Sequence, residues 1–134
     1  MKTTARISIV ALFCMTFFAA APAFSVTLPE AAPKFAGRIV VNKTMVSSGY
    51  PNGSMTFHSN GSLTCSGYPA FIGCKHWQIQ HDGTLRREFT DSHTGKTVEV
   101  VAIWKLLSQS GNTLQVQQTS NNSDVATTVT VTIK

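Results

Sequence analysis

The tetrapeptide Ser-Gly-Tyr-Pro occurs twice in the chain, once around Tyr50 and once around Tyr68. Tyrosine offers a broad apolar ring with a polar tip, and proline limits the entropy that a loop loses on binding. The second copy continues into the apolar residues Phe71 and Ile72, where a solvated linker would be polar. These four residues are therefore candidates for a contact surface. The alternative is that Tyr68, Phe71 and Ile72 fold inward and plug one end of the domain.

Arg87 is a charged residue in an apolar pattern. In the predicted strand 84–90 it alternates with Leu85 and Phe89, and it shares their face with Trp77 of the preceding strand. A guanidinium stacked on Trp77 could close the domain, or it could face a cavity and pair with an anionic group of a ligand. Snorkelling to the rim, or a bulge in the strand, would instead carry Arg87 outward. Trp77 and Arg87 complete the set of candidate binding residues.

Metal and enzyme signatures are weak in this sequence. The chain has four histidines, which are His58, His76, His81 and His93. They show no metal-ligand spacing, so the sequence predicts no metal site and no cofactor. The sequence has no Gly-x-Ser-x-Gly and no His-Glu-x-x-His, and the consecutive Asp91, Ser92 and His93 cannot adopt the geometry of a catalytic triad. We therefore expect a non-enzymatic protein, and a hydrolytic enzyme is the weakest alternative.

The first 23 residues have the pattern of a secretion signal. Lys2 and Arg6 precede an apolar run over residues 7–20, and small residues follow in Ala-Pro-Ala at 21–23. A run of about 14 residues is short for a membrane span of ~20. We expect cleavage after Ala23, export to the periplasm or the extracellular space, and no transmembrane segment in the mature chain.

Export determines how the cysteines are interpreted. Of the three cysteines, the first lies in the predicted signal, which leaves Cys65 and Cys74 in an oxidising compartment. The sequence therefore predicts a disulfide between them, with two free buried thiols as the alternative. The formal net charge of +5 falls to +3 without Lys2 and Arg6 of the signal. Such a mild excess does not indicate a nucleic-acid partner.

The remaining chain is predicted to be all-β. Residues 24–35, with two prolines, read as an extended leader, and residues 36–134 as a single domain. Alternating β-branched and aromatic residues between short turns predict eight strands. The predicted strands are 36–47, 53–58, 62–66, 75–80, 84–90, 97–108, 112–119 and 125–133.

Three predicted turns set the register of these strands. Three-residue loops that end at Gly61, Gly83 and Gly111 bring apolar residues to the same face of each hairpin, as a type I turn with a G1 bulge requires. They pair Phe57 with Leu63, Met55 with Cys65, Ile79 with Leu85, Leu106 with Leu114, and Trp104 with Val116. An up-and-down meander of eight antiparallel strands then closes, or nearly closes, into a barrel. A two-sheet sandwich is the alternative.

The repeated strand, polar turn and glycine units at 56–61 and 77–83 resemble those of the small lipocalin-like barrels of bacterial envelopes. The resemblance covers residues 36–133 at the level of pattern, and it implies a barrel that binds a ligand. The leading hypothesis is an exported barrel that binds a small apolar or amphipathic ligand, or an envelope component, at its tyrosine-rich end. The alternative is an inhibitor or immunity factor that inserts the same loops into a secreted hydrolase.

Overall fold

A computed structural model describes residues 31–134 of the chain. The predicted signal at 1–23 lies outside the described residues, as does the leader up to residue 30. Residues 31–36 have no regular secondary structure, and among the described residues no helix is long and apolar enough to span a membrane. One short helix, α1 (Gly37–Val40), precedes eight strands. The strands are β1 (Lys43–Ser47), β2 (Tyr50–Phe57), β3 (Leu63–Ser66), β4 (Ile72–Ile79), β5 (Leu85–Asp91), β6 (Val98–Ser110), β7 (Thr113–Ser120) and β8 (Ser123–Ile133).

The eight strands form one antiparallel sheet in the order β3-β2-β1-β8-β7-β6-β5-β4. Neighbouring strands in the sheet are consecutive in the chain, with the exception of β1 and β8. These two strands pair with each other, and Met45 lies opposite Ile133. The first and last strands therefore join, and the one remaining seam lies between β3 and β4. The predicted up-and-down meander in a nearly closed barrel is confirmed, and the two-sheet alternative is wrong.

The seam between β3 and β4 is held by a disulfide and by two local contacts. Cys65 and Cys74 are bonded, with their Cα atoms 5.9 Å apart, which confirms the predicted pairing. Ser62 and His76 form an isolated β-bridge, and the Trp77 amide donates a hydrogen bond to the Gly61 carbonyl at 3.0 Å. These contacts replace the regular ladder that joins the other strands.

The barrel has two different ends. The β2–β3, β4–β5 and β6–β7 turns lie at one end, called the turn end here. The other connections, at 48–49, 67–71, 92–97 and 121–122, lie at the open end. The fully buried core includes Trp104, Phe57, Met45, Met55, Leu63, Leu85 and Leu114.

Helix α1 is where the predicted first strand is wrong. Residues 36–47 are predicted as one strand because Ile39 and Val40 are β-branched residues with strand preference. In the structure these two side chains are buried in the core from a helical turn, and the Phe35 amide beside them donates to the Gly83 carbonyl at the turn end. Burial of both apolar side chains at this end outweighs their local preference. The helix closes the turn end of the barrel.

Two of the three predicted turns are confirmed. Phe57 lies opposite Leu63 and Ile79 opposite Leu85, as the three-residue loops require. Gly61 has a φ of 88° and Gly83 a φ of 85°, in the left-handed region that favours glycine.

The third turn differs from the prediction. A two-residue turn, Gly111–Asn112, joins β6 to β7, and Leu106 lies opposite Val116 instead of Leu114. A register shift beside Leu107 takes up one residue and leaves this side chain 42% exposed. Because Leu114 and Val116 are two residues apart, they share one face of β7, and both remain buried as predicted. The pairing is therefore wrong, whereas the faces are correct.

Gly61→Val should lower the free energy of unfolding by about 1–2 kcal/mol, because a β-branched residue resists a positive φ. Crowding adds little, since a Cβ at position 61 would lie 3.8 Å from its nearest neighbour, the Trp77 carbonyl oxygen. Gly61→Asn is the matched control, and it should lose less because asparagine tolerates this conformation. Urea denaturation measures both variants, and equal midpoints for the valine variant and the native protein would contradict the turn.

Candidate functional site

The open end of the barrel contains a cavity of about 410 Å³. Side chains from the inner face of the sheet and from the connections at the open end line this cavity. Most of them are apolar, including Met55, Phe89, Val100 and Ala102. The two charged side chains in its lining are Arg87 and Asp91. The cavity is thus an apolar chamber with few charged groups, closed below by the packed core.

Arg87 lies on β5 with only 3% of its surface exposed. Its Nη2 donates a hydrogen bond to Oε1 of Gln118 at 3.2 Å, and its Nη1 lies 3.6 Å from the sulfur of Met55. Oε1 of Gln118 also accepts a hydrogen bond from the indole nitrogen of Trp104 at 2.8 Å. One amide oxygen therefore fixes both the guanidinium and the ring beneath it.

The guanidinium of Arg87 is held between aromatic rings. Its central carbon lies 3.7 Å from the centre of the Trp104 ring and 5.4 Å from that of Phe89. The sequence left a stack on Trp77 as one of several possibilities, and the structure places the guanidinium on Trp104 and Phe89 instead. Trp77 pairs directly with Arg87 across β4 and β5, but its indole nitrogen donates to the carbonyl of His58 at 2.8 Å. Trp77 therefore belongs to the seam near the turn end and does not line the cavity.

Arg87 forms no ion pair with any residue of 31–134. The ion pairs found there are Lys75–Glu99 and Arg86–Glu88, and the Asp91 carboxylate is hydrogen-bonded to His93. The Nε atom of Arg87 is buried without a hydrogen-bond partner. Burial lowers the pKa of Arg87 to about 9, and the nearby Tyr68 side chain opposes this shift. At this pKa the guanidinium is still charged at neutral pH.

Tyr50 and Tyr68 stack on each other at the open end, with ring centres 4.5 Å apart and an interplanar angle of 23°. Gly53 makes this stack possible, because a Cβ there would overlap the Tyr68 ring and lie 2.9 Å from Cδ2 of Tyr50. Gly67, with a φ of 78°, brings the chain against the carbonyl of Asn52. Burial raises the pKa of the Tyr68 hydroxyl, and Arg87 opposes this shift. The two tyrosines of the repeated tetrapeptide thus form one wall of the cavity.

Phe71 and Ile72 also line the cavity, close to its mouth. Phe71 is 42% exposed and its ring centre lies 5.6 Å from that of His93, whereas Ile72 is half-buried. The connection 67–71 and the start of β4 therefore leave the open end unplugged. The structure brings together Tyr50, Tyr68, Phe71, Ile72 and Arg87 of the predicted binding residues, and leaves Trp77 elsewhere.

The histidines are spread over the barrel. Among residues 31–134 no three metal-ligating side chains come together. His93 pairs with Asp91, whose Oδ1 lies 2.7 Å from Nδ1 of His93 and also accepts the His93 amide, and these hydrogen bonds lower the pKa of Asp91. The hydroxyl of Ser92 donates to the carbonyl of Phe71 at 3.4 Å, so it does not complete a triad with His93.

Several residues of the site were missed by the sequence analysis as functional candidates, and four of them carry the geometry around Arg87 and the stacked tyrosines. They are Gly53, Met55, Trp104 and Gln118. For Trp104 the sequence did contain an indication, because the predicted β6–β7 hairpin placed its side chain on the inner face of the barrel. The predicted partner of Trp104 is Val116, whereas the observed partner is Gln118, so the shifted register of β6 and β7 concealed the polar contact.

Gly53→Ala should separate the two stacked tyrosine rings and lower the free energy of unfolding by about 1–3 kcal/mol, as overpacking typically does. Near-ultraviolet circular dichroism reports the loss of the stack, and urea denaturation reports the stability. Gly37→Ala is the control, because a Cβ there meets Cγ2 of Val41 at an ordinary 3.6 Å. Unchanged tyrosine signals in the Gly53 variant would contradict the packing of Tyr68 against β2.

The fold and this site define an eight-stranded up-and-down barrel with a largely apolar cavity at its open end. Comparison with known proteins adds no relative: no family model, no curated protein and no solved structure matches the chain. The functional proposal therefore depends on the geometry of the cavity.

Proposed function

We propose that this chain is an exported, non-enzymatic barrel that binds one small apolar or amphipathic ligand in the cavity at its open end. The observation that carries the proposal is the cavity itself. Its volume of about 410 Å³ falls within the ~300–1,000 Å³ typical of small-molecule sites. Its lining, with apolar walls and a few fixed polar groups, also has the character of such sites. The resemblance to lipocalin-like barrels agrees with the same function.

The barrel supplies a rigid frame for this site. The sheet closes through β1 and β8, α1 closes the turn end, and the disulfide holds the loop with Tyr68 and Phe71. Preorganised walls lower the ordering cost of binding. The disulfide also supports export, because such bonds persist mainly in oxidising compartments.

An inhibitor of a secreted hydrolase is the second candidate. The partial exposure of Phe71, on a loop closed by the disulfide, favours it. A protruding inhibitory loop would be expected on a filled barrel with both tyrosines exposed. The hollow open end and the half-buried Tyr68 favour the ligand-binding function instead.

A neutral fluorescent probe, N-phenylnaphthylamine, tests the proposal on protein expressed from the full-length sequence and purified without reducing agent. We expect saturable binding of one probe per chain, with the fluorescence increase that accompanies an apolar environment. Intact mass should show the loss of 23 residues on export and of two hydrogens at Cys65 and Cys74. Absence of saturable probe binding would overturn the cavity function.

Ala102→Phe should weaken probe binding by about tenfold or more, because Ala102 lines the cavity and the larger side chain fills it. Leu107→Phe is the matched control, since Leu107 lies on the same strand and is exposed. If Ala102→Phe fails to fold, Ala102→Leu fills part of the same space. Equal probe affinity in the folded Ala102 variant and the control would place the probe outside the cavity.

A further inference from the structure

The cavity contains a cation that forms no ion pair with any of the described residues. Arg87 is 3% exposed and contributes to the cavity lining, and none of the ion pairs among residues 31–134 includes it. A guanidinium carries five N–H donors. Gln118 accepts a hydrogen bond from one of these donors, and the sulfur of Met55 is a weak acceptor for a second. The N–H of Nε has no hydrogen-bond partner.

A buried charge without a partner is costly, so a group that supplies both negative charge and hydrogen-bond acceptors would gain strongly at this position. A carboxylate does both, because its two oxygens match the fork of donors on arginine. The rings of Trp104 and Phe89 hold the guanidinium in place before a ligand arrives. Its donors are thus already ordered.

The rest of the lining limits the charge of the ligand. Arg87 is the one cation lining the cavity, and Asp91, near the open end, is an anion whose pKa is kept low by hydrogen bonds from His93. A ligand with two negative charges would leave one of them without a cationic partner in the cavity and would be repelled by Asp91. One negative charge fits the site better than two.

Depth within the barrel sets the orientation of the ligand. Met55 and Trp104, which contact Arg87, are fully buried members of the core, whereas the stacked tyrosines and Phe71 lie at the open end. An acidic head at Arg87 therefore places an apolar tail between Phe89, Val100 and the tyrosine wall.

We propose that the ligand is a monocarboxylic amphiphile, bound with its carboxylate against Arg87 and its apolar tail directed toward the open end. This proposal rests on the function proposed above, since it assigns the chemistry of the ligand in the same cavity. Arg87 is the residue that determines specificity, and Gln118 is a positioning residue for it.

Three ten-carbon probes that differ only in the head group test this proposal: decanoic acid, decanol and decyltrimethylammonium. Displacement of N-phenylnaphthylamine measures their affinities, and the fluorescence of the ring beneath Arg87, Trp104, reports a head group nearby. We expect decanoic acid to bind about tenfold or more tightly than decanol, as a charge-assisted hydrogen bond allows. The ammonium probe should bind more weakly than both.

Arg87→Met should remove this preference and leave the affinity for decanol within about threefold of the native protein. Arg86→Met is the matched control, because Arg86 is the neighbouring residue, is partly exposed and pairs with Glu88 at 3.0 Å. This control should keep the preference for the acid. If Arg87→Met does not fold, carbon NMR of carboxyl-labelled decanoic acid bound to the native protein replaces it, and the pKa of the bound acid should lie below that of the free acid.

Three results separate the two proposals. If decanoic acid and decanol bind the native protein equally, or if Arg87→Met keeps the preference, the assignment of the carboxylate is wrong while the cavity function stands. If the bound acid shows an unchanged or raised pKa, the pairing with Arg87 is likewise wrong. If none of the probes binds and N-phenylnaphthylamine also fails to bind, the proposed function itself is wrong.

Discussion

Arg87→Met raises the free energy of unfolding of the ligand-free protein by about 1–3 kcal/mol, as replacement of a buried charge by an apolar side chain often does. The native guanidinium gives up its hydration, and neither Gln118 nor Met55 supplies a negative charge in return. The lowered pKa of Arg87, at about 9, reflects the same cost. Stacking of the guanidinium on Trp104 offsets about 1–2 kcal/mol of this desolvation cost. Methionine is flexible and fills irregular space, so it should pack beside Met55.

Urea denaturation of the native protein, Arg87→Met and Arg86→Met measures this effect. Arg86 is partly exposed and paired with Glu88, so its replacement should change the free energy of unfolding by less than about 0.5–1 kcal/mol. Addition of decanoic acid should raise the midpoint of the native protein more than that of Arg87→Met, because a ligand stabilises the folded state in proportion to the logarithm of its affinity. A loss of more than about 1 kcal/mol in Arg87→Met would show that the arginine serves the fold.

If Arg87→Met is more stable than the native protein, Arg87 is present for function and not for stability. A buried residue that costs stability at the wall of a cavity is explained by what the cavity does. The same logic separates Arg87 from Trp77, which lies directly opposite it on β4. Trp77 donates to the His58 carbonyl and contacts Phe57 with ring centres 5.9 Å apart, so its removal should simply destabilise the barrel.

The sequence could predict the barrel because local signals set the faces of its strands. Gly61 and Gly83 end turns that require a positive φ, and this requirement fixed the register of two hairpins. Side-chain alternation has a period of two residues, so even the shifted β6–β7 pairing kept Leu106 and Val116 inside. The inward position of Arg87 followed from the same alternation.

The shape of the cavity could not be predicted in the same way. It depends on the absence of a side chain at Gly53 and on the small side chain of Ala102, which no short-range pattern indicates. The helical turn at Ile39 and Val40, at the opposite end of the barrel, was not indicated by such a pattern either. Which aromatic ring lies beneath Arg87 is a matter of rotamers on neighbouring strands. These features arise from packing between distant segments, which local sequence patterns do not record.

Replacement of Cys65 and Cys74 together by serine should lower the free energy of unfolding by about 2–3 kcal/mol, from the entropy that closing a loop of nine residues removes from the unfolded chain. The structure adds a local effect to this loss. The seam between β3 and β4 has one isolated bridge, Ser62 with His76, and β3 has only four residues. Without the disulfide, amide hydrogen exchange should accelerate in β3 first and spread less into the strands β6 to β8, which remain fully paired.

The same variant should also bind the probe more weakly. Tyr68, Phe71 and Ile72 lie inside the loop that the disulfide closes, and all three line the cavity. A loosened loop must be ordered again when the ligand binds, so we expect about a tenfold loss of N-phenylnaphthylamine affinity. Reduction of the native protein with a thiol is the matched control, since it opens the same loop without changing a residue. Faster exchange in β3 together with native probe affinity would show that the tyrosine wall is held by Gly53 and Gly67 alone. Unchanged exchange in β3 would show that the bridge and the Trp77 contacts suffice to close the barrel.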